Sequence, residues 1–250
     1  MYFCIYLYNV SAMTRLSVNI NKIATIRNAR GGNVPDVIEA AKRIESFGAE
    51  GITVHPRPDE RHIRYDDVRK LHPVVKTEFN IEGNPNPEFM KLVLENKPTQ
   101  VTLVPDAEDV LTSNAGWDTV KYTDYLFDII QEFKKNGIRT SIFVDPDPKM
   151  VMSAAKTGTD RIELYTEDFA VEYAKGNQDA AKPYAHCARV AVDCGLQVNA
   201  GHNLSLENIK FFKQNVPHLS EVSIGHALIS EALYEGLEKV ILRYLTYLRD

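Results

Sequence analysis

Residues 51–64 read GITVHPRPDERHIR, a segment that begins as a buried strand and ends as a charged loop. Gly51, Ile52, Thr53 and Val54 form a short apolar, β-branched run of the kind found in strands covered on both faces. His55, Arg57, Arg61, His62 and Arg64 follow at once, separated by Pro56 and Pro58, so the chain leaves the strand without entering a helix. So much imidazole and guanidinium at one strand end points to chemistry organised around the ends of strands.

The same unit recurs along the chain. Strands are predicted at 16–20, 51–55, 78–82, 100–104, 139–144, 160–165, 196–200 and 221–224, eight in all. Between them apolar residues fall at helical spacing, as in Val37, Ile38, Ala41, Ile44 and Phe47. Another such set is Tyr125, Leu126, Ile129, Ile130 and Phe133, with Asn136-Gly137 as the stop. Eight strand–helix units in 250 residues predict an α/β chain forming a single-domain (β/α)₈ TIM barrel. A doubly wound open sheet shares the alternation, but no GxGxxG follows the first strand and no domain linker interrupts the pattern. The stretch 168–195 has room for two helices, so the barrel carries additional helices. The loop 105–117, PDAEDVLTSNAGW, is polar and helix-poor, compatible with a lid or with an ordinary surface loop.

Composition narrows the function. The chain is 44% hydrophobic and 25% charged, ordinary for a globular protein. No apolar tract reaches the roughly 18 residues a membrane span needs. A net charge of −5 argues against a nucleic-acid partner, though a locally positive cleft can still hold anionic substrates. Cys4, Cys187 and Cys194 lack metal-ligand or CxxC spacing, and a sparse, odd set fits reduced thiols in a cytoplasm. The opening MYFCIYLYNVSA is apolar and aromatic without a basic start, unlike a secretory signal. It is expected to be a dispensable extension, residues 1–13, ahead of a catalytic barrel at 14–250.

Barrels of this class carry their sites at the C-terminal strand ends. Read in order, those ends offer Asn19, then Asn21, Lys22, Arg27 and Arg30, with His55 and Arg57 at the second strand. Glu82, Glu163, Asn199 and His202 follow at the third, sixth and seventh, and the eighth runs into Gly225-His226. Singly, each has a plain structural reading: a hydrogen-bonded histidine, a solvated arginine loop, Glu82 as a helix cap, Glu163 holding a lysine. Convergence changes this, because His55, Glu82, Glu163 and His202 come from four strands that the fold aims at one cavity. Gly201 in NAGHNLSLENI and Gly225 in SIGHALI each precede a predicted helix start, where backbone N–H groups and the helix dipole suit a phosphate.

At these residues the sequence resembles the pyridoxine 5′-phosphate synthase family. The resemblance is carried by VNINKIATIRNARGG, GAEGITVHPRPDERHI, NIEGNP, LVPDAEDVLTSNAGWD, RIELYTE, VNAGHNLS and SIGHALI, in family order from about Leu16 to the last helix. It implies a homo-octamer built from dimers that condenses 3-amino-2-oxopropyl phosphate with 1-deoxy-D-xylulose 5-phosphate. The products are pyridoxine 5′-phosphate, phosphate and water, with no metal or organic cofactor. By position His55 and Glu82 match proton acceptors, His202 a proton donor and Glu163 a transition-state stabiliser. Asn19, Asn21, Lys22, Arg30, Arg57, His62, Thr112, Asn203, Gly225 and His226 match substrate-binding positions.

The chain departs from the family twice. Many members read Asn-Ile-Asp-His where Asn19-Ile20-Asn21-Lys22 stands here, and most have glycine at the position of Asn203. Two other functions compete. A metal-dependent barrel hydrolase would use His55, His202, His226 and a glutamate as ligands, but the first strand lacks a His-x-His pair. A non-catalytic phosphate-binding barrel leaves the acid–base set without a purpose. One expectation rests on the sequence alone: a chain starting at Met13 folds and retains activity. Loss of soluble, active protein on that truncation would make the first dozen residues a packed element instead.

Overall fold

The computed structural model describes residues 13–106 and 114–250. Residues 1–12, Thr112 and most of the polar loop 105–117, compatible with a lid or with an ordinary surface loop, lie outside the described residues. Eight parallel strands close into a barrel in chain order: β1 (Arg15–Asn19), β2 (Gly51–Val54), β3 (Glu78–Gly83), β4 (Gln100–Leu103), β5 (Arg139–Val144), β6 (Arg161–Tyr165), β7 (Gln197–Gly201) and β8 (Leu219–Ile224). Only β5 has the expected limits. The other ends move by one or two residues, because backbone pairing continues or stops without a change in residue type.

Around the barrel run α1 (Asn21–Arg30), α2 (Val37–Ser46), α3 (Tyr65–Leu71), α4 (Pro87–Asn96), α5 (Thr123–Lys135), α6 (Pro148–Lys156), α7 (Glu167–Ala174), α8 (Lys182–Asp193), α9 (Ile209–Asn215), α10 (His226–Glu235) and α11 (Leu237–Arg249). The two helices expected after the sixth strand are α7 and α8. Directly after β1 the chain enters a helix, and Asn21 and Lys22 form its first turn. Asn19 promotes that turn by accepting the Asn21 N–H on its side-chain oxygen at 3.0 Å. Gly31 ends it in the left-handed region at φ 76°, where a side chain is strained. The starts of α2 and α4 follow from local sequence: Asp36 accepts the Ile38 and Glu39 N–H groups, and Asn86 accepts that of Phe89.

The period-2 alternation of the strands sorts side chains into two layers. Leu16, Val18, Ile52, Val54, Ile81, Val101, Leu103, Ile142, Ile162, Leu164, Val198 and Val222 join the apolar core beneath the helices. The intervening residues fill the lumen, and they are polar. Ser17 bonds Thr53 at 2.7 Å, Asn80 donates to Thr53 at 3.3 Å, and Thr102 donates to Asn80 at 3.1 Å. Nearer the strand starts, Glu78 meets Arg15 at 2.9 Å, Arg161 at 3.2 Å and Arg139. Arg161 also donates to Gln100 at 3.0 Å and Gln197 at 2.7 Å. Glu221 lies 3.5 Å from Arg15 and 3.7 Å from Arg161.

This cluster plugs the N-terminal end of the barrel with three guanidiniums and two carboxylates. Burial favours the neutral form of Glu78, but Arg139, Arg161 and Arg15 outweigh it and hold its carboxyl below the ordinary range. Removing the shared carboxylate in Glu78→Leu leaves the buried Arg161 and the half-buried Arg15 and Arg139 with Glu221 alone, whose own carboxyl burial raises to about 8. A loss of about 3–5 kcal/mol is expected, the cost of breaking a buried pair from one side. Denaturant unfolding of the variant against the wild type measures it.

Candidate active site

The C-terminal ends of the strands form the opposite face of the lumen, and a chain of amides binds the first three together there. Asn19 Nδ2 donates to Glu82 Oε2 at 3.2 Å, and Asn21 Oδ1 accepts the His55 N–H at 3.0 Å. The role of Asn21 toward His55 is an acceptor's, so a carboxamide serves there as an acid would. His55 Nδ1 stands 4.0 Å from Glu82 Oε2, in electrostatic contact beyond hydrogen-bond range. Gly225 closes the ring against β1: a Cβ there would come within 3.1 Å of the Asn19 Cβ.

Desolvation sets the proton affinities. Burial lowers His55 well below 6.5, helped by the charges of Arg57, His62, Arg61 and His202. Burial raises Glu82 to about 8, with Asp106 adding to the rise and Arg57 and the Asn19 hydrogen bond opposing it. Glu163, buried on β6, is raised well above 4.5 by burial and then by the charge of Glu82. His55 is therefore neutral near pH 7, and the two carboxyls resist ionising together. Gly201 admits this arrangement, because a Cβ at that position would lie 2.4 Å from Glu163 Oε1 and 2.9 Å from the Ser223 carbonyl.

The cationic side of the mouth comes from the 55–64 loop and α1. Arg57 Nη2 pairs with Asp106 Oδ2 at 2.5 Å, and both are buried. His62 is pulled down to about 4 by burial and by Arg57, Lys22 and Arg61. Its Nδ1 accepts the Ile63 N–H at 2.9 Å, so the neutral ring carries its proton on Nε2 and presents a donor. Lys22 is half-buried and makes no hydrogen bond or ion pair among the described residues. Arg30 is exposed at the end of α1. Asn28, on the same helix, donates from Nδ2 to the carbonyls of Arg61 at 3.2 Å and His62 at 2.8 Å.

Across the mouth, His202 follows β7 with its Nδ1 2.5 Å from Asn203 Oδ1. Its ring meets that of Tyr165 edge-on, with centroids 5.2 Å apart. Val104, Phe143 and Tyr165 form a small apolar cluster of their own on that wall. His226 begins α10 and is exposed. The anion site expected after Gly201 does not form at a helix start. Asn208 accepts the Ser205 N–H, Glu231 that of Leu206 and Ser205 that of Glu207, and α9 begins only at Ile209. Glu82 does not cap the next helix, since Asn86 does, and Glu163 holds no lysine among the described residues.

Arg27, read among the residues past the first strand, is fully buried: it grips both oxygens of Asp67 at 2.6 and 2.8 Å and donates to the His62 carbonyl at 3.0 Å. Three residues at the mouth carried less warning in the sequence. Asp106 had a usable signal, as a carboxylate directly past the β4 end in VPD. Tyr165 and Thr166 had none, since Tyr165 meets the His202 ring and Thr166 bonds Gly201 and Asn203, all far along the chain. Among the described residues, no group of three or more His, Cys, Asp and Glu side chains is placed to hold a metal ion.

A closed parallel barrel with neutral imidazoles, proton-holding carboxyls and paired cations at its C-terminal mouth defines a TIM-barrel enzyme of the acid–base type. The model of the family described as pyridoxal phosphate biosynthesis protein PdxJ matches residues 16–250. The pyridoxine 5′-phosphate synthase of Christiangramia forsetii is 71% identical, over 95% of this chain and 100% of that one. The enzyme of the same name from Flavobacterium johnsoniae is 65% identical over the same shares. Solved structures share the fold alone: 3-keto-L-gulonate-6-phosphate decarboxylase of Vibrio cholerae superposes with a TM-score of 0.63 at 10% identity, covering 95% of this chain and 98% of that one. The chain belongs to the PdxJ family.

Proposed function

We infer that the chain is a pyridoxine 5′-phosphate synthase, condensing 3-amino-2-oxopropyl phosphate with 1-deoxy-D-xylulose 5-phosphate into pyridoxine 5′-phosphate, phosphate and water. The supporting observation is the buried set His55, Glu82 and Glu163, whose proton affinities are displaced in opposite directions within one mouth. Forming an imine, expelling phosphate and water and closing an aromatic ring all move protons. Groups whose affinities lie near or across neutrality suit such a sequence.

The roles follow the environments. Neutral His55 accepts a proton, and Glu82 accepts one from the attacking amine once ionised. Glu163, protonated beside Gly201, donates a hydrogen bond toward developing negative charge. His202 returns a proton to a leaving oxygen. Arg57, Arg30 and Lys22 supply charge to the phosphates, with Asn19, Asn21, His62, Thr112 and Gly225-His226 as further substrate contacts. The first turn of α10 contains no acidic residue, so its positive end is open to a phosphate. A homo-octamer built from dimers and a cytoplasmic location complete the reading. In support, no helix among the described residues is long and apolar enough to cross a membrane.

Incubation with both substrates should release phosphate and generate the absorbance of the pyridine product, and no phosphate release with both present would overturn the reading. His202→Ala and Glu82→Gln are expected to lower kcat by about 10²–10⁴-fold with modest change in KM. For a base whose affinity is raised to about 8, the ionised form grows as pH rises through that value, so kcat/KM climbs there. Glu82→Gln removes that limb. Lys22→Ala should raise the KM for deoxyxylulose phosphate while leaving thermal stability nearly unchanged, and Lys22→His should recover part of the loss. An unaltered KM in Lys22→Ala would return Lys22 to the status of a surface charge.

A further inference from the structure

We propose that Asn203 is a positioning residue for His202: its side-chain oxygen holds His202 in the Nδ1–H form, leaving Nε2 as the nitrogen that works on substrate. The proposal rests on the assignment of His202 to the mouth's proton transfers, and it concerns the Asn203 side chain alone, beside the expectation that Asn203 stands at a substrate-binding position.

The backbone shows that this turn is held deliberately. His202 has φ 91°, a conformation that side chains other than glycine rarely adopt. Thr166 brackets it on both sides, donating to the Gly201 carbonyl at 2.7 Å and accepting the Asn203 N–H at 3.2 Å. Asn208 Nδ2 donates to the Asn203 carbonyl at 3.2 Å. Asn203 is thus held through both its backbone groups, and its side chain turns in a direction of its own.

That direction is the imidazole. The Asn203 Oδ1 to His202 Nδ1 separation of 2.5 Å is a hydrogen bond. A carboxamide oxygen only accepts, so Nδ1 must carry the hydrogen. Tyr165 holds the ring from the side, its plane at 81° to that of His202, and donates its own hydroxyl to Glu167. With Nδ1 committed, a proton arriving on the ring enters at Nε2 and leaves from Nε2. The fixing of one histidine nitrogen by a partner on the other is a general way of selecting a tautomer.

The electrostatic surroundings make the arrangement readable by pH. Among the described residues His202 is faced by His55 across the mouth, by Tyr165 with Glu167 from β6 and α7, and by Glu163 behind Gly201. Asp145 and Asp168 act on Tyr165 from further out. Replacing the neutral amide by a carboxylate at position 203 adds one negative charge against Nδ1 and favours the imidazolium.

The test has two parts. Long-range ¹⁵N–¹H spectra of the full-length enzyme, with His202 assigned through His202→Gln, should show the neutral ring as Nδ1–H. Asn203→Ala should lose that preference. This readout needs no turnover, so it stands even if the assigned reaction fails. In the kinetic part, Asn203→Ala should lower kcat by about tenfold or more, part of the contribution of a general acid, with KM for both substrates little changed. Asn203→Asp should recover kcat and move the alkaline limb of the kcat profile to higher pH. A wild-type Nε2–H ring would overturn the proposal. So would Asn203→Ala raising the KM for the amino ketone phosphate at unchanged kcat, which would make Asn203 a ligand. Should Asn203→Ala fail to fold, the wild-type spectrum and the Asn203→Asp profile still decide.

Discussion

Glu78 sits inside the barrel among Arg15, Arg139 and Arg161, and this shared carboxylate constrains the whole sheet. A carboxylate so deeply buried persists only when paired and hydrogen-bonded, and here each guanidinium around it belongs to a different strand. The strands must therefore close in one register. A slip of one residue would drive Leu16, Ile162 or Val222 into the lumen and force Arg15, Arg161 or Glu221 among the apolar helix faces. Most barrels of this class fill the interior with branched aliphatic layers. This one uses directional contacts, whose partners cannot be exchanged by small shifts.

Register fixed at the base fixes height at the mouth. Asn19, Glu82 and Glu163 lie one inward step beyond Ser17, Asn80 and Arg161 on their strands, so the layers that lock the sheet also carry the carboxyls upward. The same desolvation then acts with different results on different carboxyls. At the base, three arginines surround Glu78 and keep it ionised, while burial raises Glu221, near Arg15 and Arg161, to about 8. At the mouth, Glu82 has Asp106 and Glu163 near it as well as Arg57, and burial prevails, holding it protonated near neutrality. The count of cations around each carboxyl, more than its end of the barrel, sets its charge.

The alternation of strand and helix was legible because it is local: β5 appears within its expected limits, and α5 and α2 follow their apolar spacing. Helix α1 was not legible. Its buried face consists of Ile23, Ala24 and Arg27, and an arginine reads as solvent-facing unless its partner is known. That partner, Asp67, is 40 residues away and doubles as an acceptor for the Arg64 N–H at the start of α3. The strand-end residues could be named from their positions, but the bonds among them cross strands and leave no periodicity to read. Gly201 illustrates the limit: it suggested a phosphate cradle, whereas the close approach of the Glu163 carboxyl explains it.

The two histidines flanking the mouth show how neighbours, more than bulk pH, assign chemistry. His62 receives the Ile63 N–H on Nδ1, and burial, reinforced by the cations Arg57, Lys22 and Arg61, holds it unprotonated near neutral pH, so it remains a fixed Nε2–H donor. His202 faces a carbonyl oxygen on Nδ1, which assigns proton transfer to Nε2. Exchanging the two neighbours would exchange the roles. The grip of Arg27 on the His62 carbonyl then serves a purpose beyond stability: it holds the loop in the one conformation where the Ile63 amide reaches the ring. A buried ion pair in α1 thereby fixes a donor at the mouth without touching it.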